Sequence, residues 1–326
     1  MGNILVSIVC ITYNHASYIR KTLDSFLAQK TSFDYEIIIH DDASTDGTTD
    51  IIEEYVQKYP EIIIPIFQTE NQYSKGIPIT SNVVIRHTRG KYIAFCEGDD
   101  FWIDENKLEK QVQFLECNLE YIACVHRYIV VDEHDTEIDL VTFGYYEKCG
   151  RYTLSDFKSV ELPSQLASLV FRNVVENNEK FLLKRLFDNT CIQGDMKWFL
   201  YLLRLGDIYR MEDVMSAYRF VEKLGSNSYT SRQLGRKLGW KKFKDLCVLE
   251  KVYNELFKYD LDLKIRKRLM GTEVVIDFLK QPSCKGLGRV LYVCFTNNVD
   301  YLNLTKRILK KILPSCNIKI GLKHEI

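Results

Sequence analysis

Apolar runs of strand length alternate with apolar residues at helical spacing through the N-terminal part of the chain, and this alternation restricts the fold more than any other feature. Ile4 to Ile11 reads as a buried strand. Ile19, Leu23, Phe26 and Leu27 then recur at helical spacing, and Tyr35 to His40 returns to a strand. A second helix carries Ile51, Ile52, Tyr55, Val56 and Tyr59 on one face, followed by strands at Ile62 to Phe67 and Lys91 to Cys96. This is the pattern of a mostly parallel sheet covered by helices on both faces. Leu108, Gln111, Val112 and Leu115 predict a further helix, and Tyr121 to Val131 a further strand. After about Thr230 the sequence turns helical and basic, with Leu246, Leu249, Val252, Leu256 and Phe257 as a packed face. A catalytic domain over 1–225 and a basic helical region over 226–326 are expected.

Composition narrows the class. The ten cysteines form no C-x-x-C pair, which predicts free thiols in a reducing compartment. No basic segment leads into an apolar stretch at the N-terminus, and Val6 stands where a myristoylation signal following Gly2 needs Ser or Thr. No apolar run approaches the ~20 residues that span a bilayer. A cytoplasmic protein is expected. The net charge is zero, but from Arg232 onward 21 Lys and Arg face 9 Asp and Glu, whereas 23 and 35 precede it. The acidic body argues against a nucleic-acid partner.

In a sheet of this kind ligands bind beyond the carboxyl ends of the strands. Asp41-Asp42-Ala43-Ser44-Thr45-Asp46-Gly47-Thr48 follows one strand and, with Glu53, imitates a calcium loop. The residues before it are strand-like, so the segment reads as a strand-to-helix turn with Asp42 available to a ligand. Phe95-Cys96-Glu97-Gly98-Asp99-Asp100-Phe101-Trp102 follows another. Two adjacent carboxylates there suit a hard divalent cation bound to diphosphate oxygens, or else form an exposed acidic turn. Gln193-Gly194-Asp195-Met196-Lys197-Trp198 opens a helix, and Asp195 is there either a helix-start charge or a catalytic group. The six histidines show no metal spacing and read as structural or solvated. No G-x-S-x-G elbow, Walker loop or dinucleotide fingerprint is present.

Taken in order, Val6-Ser7-Ile8-Val9-Cys10-Ile11-Thr12-Tyr13-Asn14, the Asp41 to Thr48 segment and Gly90-Lys91-Tyr92-Ile93-Ala94-Phe95-Cys96-Glu97-Gly98-Asp99-Asp100 resemble glycosyltransferase family 2 over about residues 3 to 220. The resemblance implies the GT-A fold, a nucleotide-diphosphate sugar donor with Mn2+ or Mg2+, and inversion at the anomeric carbon. By that likeness Tyr13 lies against the nucleobase, Asp42 bonds its edge, and Thr12 and Asn14 belong to the same donor motif. Asp99 would contact sugar or ribose, Asp100 the metal, and Asp195 would be the general base. Pro163 to Ser168, with Ser164 and Gln165, would line the acceptor side together with Trp198. Two departures stand out: Tyr218-Arg219 is not followed by the histidine that many relatives carry, and the diphosphate-facing cation falls to Lys75 or Arg86. Similarity to bacterial capsule and cell-surface polysaccharide enzymes implies a UDP-hexose donor, ahead of dTDP-rhamnose, and a lipid-linked glycan acceptor. A nucleotide-sugar-forming nucleotidyltransferase and a non-catalytic sugar-nucleotide or glycan-binding protein are the alternatives. Arg236, Lys237, Lys241, Lys242 and Lys244, with Lys306, Arg307, Lys310 and Lys311, would hold the protein against an anionic membrane, or else merely cap the fold.

Overall fold

The structure, a computed structural model, describes residues 4–82, 84–138, 148–159, 162–174, 177–188, 194–221 and 239–297. One nine-stranded sheet runs in the order β3-β2-β1-β4-β8-β6-β9-β5, with β7 against β9. β1 (Ile4–Thr12), β2 (Asp34–Asp41), β3 (Ile63–Phe67) and β4 (Tyr92–Phe95) form its parallel half. The other half is mixed. β8 (Val170–Arg172) runs antiparallel to β4 and to β6 (Tyr121–Val131), and β9 (Asp207–Arg219) carries β5 (Phe101–Trp102) and β7 (Gly150–Tyr152) as short antiparallel partners.

Side-chain alternation divides the core. Val6, Ile8 and Cys10 of β1 and Ile37 and Ile39 of β2 face α1 (Ile19–Leu27), α2 (Thr48–Lys58) and α4 (Lys107–Cys117). Val9 and Ile38 point the other way, into a cluster with α6 (Asn177–Asp188), α7 (Gly194–Leu203) and α8 (Gly239–Phe257). Successive residues of a strand alternate faces, so both faces of these strands are apolar, as the continuous runs required. Two shorter helices, α3 (Ile79–Asn82) and α5 (Leu154–Ser159), complete this side.

From the basic region, α8 buries Leu246, Leu249 and Tyr253 in the same core as Trp198. It also packs with α9 (Lys264–Lys280) and α10 (Cys284–Asn297) around Phe243, Val274, Val275, Val290 and Val293. The expected boundary at 225 and the residues Arg236, Lys237, Lys306, Arg307, Lys310 and Lys311 lie outside the described residues. Lys241 and Lys242 are exposed, and Lys242 pairs with Glu273 at 3.7 Å.

β4 enters beside β1 through a buried polar lock. The Glu36 carboxylate is fully buried and accepts from Ser7 Oγ at 2.6 Å and from the Arg89 backbone N–H and guanidinium at 2.9 and 2.7 Å. Gly90 N–H donates to Ser7 Oγ at 2.8 Å. A Cβ on Gly90 would sit 2.5 Å from Ser7 N and 2.7 Å from Val6 C, both backbone atoms that cannot step aside. Gly90→Ala should therefore destabilise the fold by about 1–3 kcal/mol, read as a lower midpoint in urea at unchanged slope.

Candidate active site

β1 has β2 on one side and β4 on the other, so the strand order reverses there and leaves a crevice past the carboxyl ends of β1 and β4. The loops that open onto it are laced together. Asn14 adopts a left-handed backbone at φ 55°, its N–H donates to Ser44 Oγ at 2.8 Å, and its Oδ1 accepts from Thr45 N–H at 2.8 Å. His15 N–H donates to Thr48 Oγ1 at 2.9 Å and Ala16 N–H to Asp46 Oδ2 at 3.0 Å. Asp41 accepts from Ser44 N–H and Thr49 Oγ1. The acidic turn after β2 thus spends Asp41 on its own backbone and hydroxyls, and Asp46 on Thr48 and on the neighbouring loop's Ala16 N–H.

Asp42 is 1% exposed, and its oxygens accept from Gln72 N–H at 2.7 Å and Tyr73 N–H at 3.0 Å. It therefore clamps the 71–76 turn as well as facing the crevice from the end of β2. Each carboxylate oxygen has a second acceptor site, so the clamp leaves capacity for a ligand N–H. Lys75 rides on that turn and pairs with Glu70. Arg86 is exposed, and among the described residues no ion pair ties it to the crevice. Tyr13 is half-buried beside Thr12 at the end of β1.

Gly98 N–H donates to Ile11 O at 2.9 Å, prolonging the β1–β4 pairing into the acidic segment. A Cβ there would meet Thr12 Cβ and Oγ1 at 2.7 Å and His15 Nδ1 at 3.1 Å. Only glycine lets these two loops touch. His15 Nε2 stands 3.7 Å from Asp99 Oδ2, while Thr12 Oγ1 and His15 Nδ1 are buried without partners among the described residues. His15, read from sequence as structural or solvated, belongs to the crevice wall. Only its place one residue beyond the Thr12-Tyr13-Asn14 motif pointed to it.

Asp100 is 1% exposed; Oδ1 accepts from Arg219 N–H at 2.8 Å and Oδ2 has no partner among the described residues. Burial, then the charges of Asp99 and Glu97, push its carboxyl well above the ordinary range against the pull of Arg219. The Arg219 guanidinium is spent elsewhere, on Asp99 O, Asp132 O and the Asp135 carboxylate, and stacks over Tyr18 at 4.3 Å. Glu97 keeps contact with solvent, yet the surrounding protein, then Asp99 and Asp195, push its carboxyl up as well. The charge of Asp195 is thus felt at Glu97.

Asp195 stands half-buried in the first turn of α7, with Oδ1 accepting from Met196 N–H at 2.7 Å. Burial raises its carboxyl, and that N–H and the charge of Arg266 hold the rise in check. Arg266, on α9, is 5% exposed; its Nε donates to Phe157 O at 2.6 Å and its guanidinium lies 4.2 Å from the Phe157 ring. Burial brings it down to about 10, with Tyr152 and Asp195 opposing. No sequence motif marks it.

The three residues expected on the acceptor side are buried. Ser164 donates to His126 O at 2.7 Å, Gln165 bonds Ser216 Oγ and Ala167 N–H, and Trp198, 1% exposed, packs against Phe95, Phe171 and Phe187. All three are as buried as Thr12, Asp42 and Asp100 at the strand ends.

The fold is an α/β architecture whose strand order reverses beside the acidic segments, and comparison with known proteins gives the family. Residues 7–176 match the family model described as Glycosyl transferase family 2, and the chain belongs to that family. An uncharacterised protein of Mycobacterium tuberculosis is 33% identical over 235 residues, 70% of this chain and 62% of that protein, so the chain spans about three fifths of that relative. The Escherichia coli protein WfaP, named a UDP-Glc:alpha-D-GlcNAc-diphosphoundecaprenol beta-1,3-glucosyltransferase, is 38% identical over 128 residues, 39% of this chain and 48% of WfaP. Staphylococcus aureus TarS 1–349, solved with UDP-GlcNAc, superposes with a TM-score of 0.59 at 14% identity, covering 89% of this chain and 79% of that one. The GT-A fold expected from the sequence is the fold found. Among the described residues no helix is long and apolar enough to cross a membrane.

Proposed function

We propose that the protein transfers a hexose from a UDP-sugar to a hydroxyl of a lipid-linked precursor of a surface polysaccharide, with inversion at the anomeric carbon. One observation carries the reading. Glu97, Asp99 and Asp100 crowd the end of β4, where Asp100 is buried with one oxygen unpartnered among the described residues, and the charge of Asp195, from a different element, adds to the rise of the Glu97 carboxyl.

The chemistry of this donor set fits a divalent cation, Mn2+ or Mg2+. Three carboxylates repel one another, two of them are held toward the neutral form, and one buried oxygen, Asp100 Oδ2, lacks a partner among the described residues. Asp100, through Oδ2, would hold the ion with Asp99 beside it; among the described residues no three carboxylate, histidine or cysteine side chains converge as a ligand set, so diphosphate oxygens would have to complete the shell. Asp100 alone, the ligand expected from sequence, has its other oxygen committed to Arg219 N–H. When bound, the ion would stabilise the charge that builds on the departing diphosphate.

The chain's own groups would do the rest. Tyr13 offers its ring to the nucleobase, and Asp42 keeps acceptor capacity for the base edge while holding the turn that carries Lys75. The carboxylate of Asp195 takes the proton of the acceptor hydroxyl as that oxygen attacks the anomeric carbon from the side opposite the diphosphate. One displacement with one base inverts the centre. The acceptor named for WfaP, a diphosphoundecaprenol-linked sugar, supports a lipid-linked acceptor and hence work at the cytoplasmic face of the plasma membrane.

Thermal unfolding with UDP, GDP, CMP or dTDP, each with and without Mn2+, tests the donor site. A ligand at 100 times its Kd adds about 2.7 kcal/mol to the native state. A Mn2+-dependent rise is expected with UDP. No rise with any nucleotide would overturn the proposal, and a rise with dTDP alone would reassign the donor.

A further inference from the structure

Outside the crevice, α8 and α10 meet along a groove of about 490 Å3 lined by Trp240, Lys244, Lys285, Gly288, Arg289 and Tyr292. Among the described residues the lining holds three cations, two aromatic rings and no carboxylate. The rings are locked in place. Trp240 meets Tyr292 edge-on at 5.6 Å, stacks on Phe243 at 6.0 Å, and carries the Arg289 guanidinium 5.6 Å from its centre.

The outer face of α10 is unusual for a helix in water. Val290 and Val293 are buried against α8 and α9, yet Leu287, Leu291 and Tyr292 on the other side are 48%, 38% and 52% exposed. A water-facing surface would carry polar residues there. Cations flanking exposed leucines and indole or phenol rings are the composition of an interfacial surface, where rings sit at headgroup depth and cations meet phosphate.

Charge decides among occupants. Residues 298–326 of this chain hold 6 Lys and Arg against 2 Asp and Glu, so the tail has the wrong sign for the groove. In a two-fold contact of two copies the same three cations would oppose themselves. A free nucleotide would match the groove but leave the exposed leucines without a role.

We propose that this face docks on a bilayer containing anionic phospholipid, with a headgroup phosphate in the groove and Leu287, Leu291 and Tyr292 entering the interfacial layer. The site goes beyond the donor reading and does not depend on it. It also differs from a diffuse basic tail, because it needs the aromatic floor and the exposed leucines as well as charge.

Gly288 supplies a probe that spares the fold. It lies mid-helix, and a Cβ there meets nothing within 4 Å. The full chain should sediment with vesicles of phosphatidylcholine mixed with phosphatidylglycerol, less so as salt rises, and not with phosphatidylcholine alone. One charge near an anionic surface changes affinity about fivefold. Gly288→Glu should bind the mixed vesicles about fivefold more weakly than Gly288→Gln, and Gly288→Lys about fivefold more tightly. Leu291→Ser should weaken binding at constant charge. The UDP-induced melting shift, a separate readout, should be the same in all four. Equal binding by the Glu and Lys variants, equal binding to neutral vesicles, no vesicle binding by the parent chain, or a parent dimer that Leu291→Ser makes monomeric would each overturn the proposal.

Discussion

An Asp195→Asn enzyme should keep the nucleotide-induced rise in melting temperature and lose glycosyl transfer by about 10²–10⁴-fold. The amide preserves the side-chain oxygen that accepts from Met196 N–H, so the start of α7 is undisturbed. What it removes is the ability to take a proton. The pH dependence of the parent enzyme should carry the signature of this group. A base acts only when ionised, and burial raises the pKa of Asp195, so transfer should fall as pH drops through a value above the ordinary carboxylate range. Arg266 opposes that rise. Arg266→Met should therefore move the acid limb to higher pH while leaving the UDP shift unchanged, whereas a merely structural arginine would lower stability without moving the limb. Near-normal transfer by Asp195→Asn would remove the base assignment.

The parallel half of the sheet was legible because its strands are buried on both faces and read as unbroken apolar runs between amphipathic helices. β9 was not. Its thirteen residues include Arg210, Glu212, Asp213 and Arg219. Strand periodicity is hidden when charges on it pair with distant residues, as Asp213 does with Lys110 and Arg219 with Asp135. β5, β7 and β8 are two or three residues long and leave no periodicity to detect.

The site was legible to the same extent, as segments rather than as side-chain directions. Sequence order put the Thr12, Asp42 and Asp99 segments at strand ends, where a crevice must form. It could not show that Asp42 holds a turn thirty residues away or that the charge of Arg266, beyond the family match, acts on Asp195. Trp198 shows the limit well. It lies one helical turn below Asp195, about 4.5 Å further along the axis, and that turn separates the rim of the crevice from the core.

Asp99→Asn, the second large effect, should cost about 10²–10³-fold in transfer, abolish the Mn2+-dependent UDP shift, and yet leave the metal-free protein as stable as the parent or more so at pH 7 to 8. The sign follows from the raised pKa values of Glu97 and Asp100. A carboxylate whose folded pKa lies above its unfolded value lowers stability as pH climbs from the unfolded toward the folded pKa. Asp99 adds like charge to both, so deleting it relieves the penalty. For the same reason a divalent cation, which competes with protons for these oxygens, should raise the melting temperature of the parent more at pH 8 than at pH 5. Addition of a chelator should reverse that gain at pH 8 and change little at pH 5. An acidic turn with no ion to hold would show the reverse order of effects for Asp99→Asn: catalysis and the UDP shift spared. A cation shift independent of pH would mean that the ion binds elsewhere.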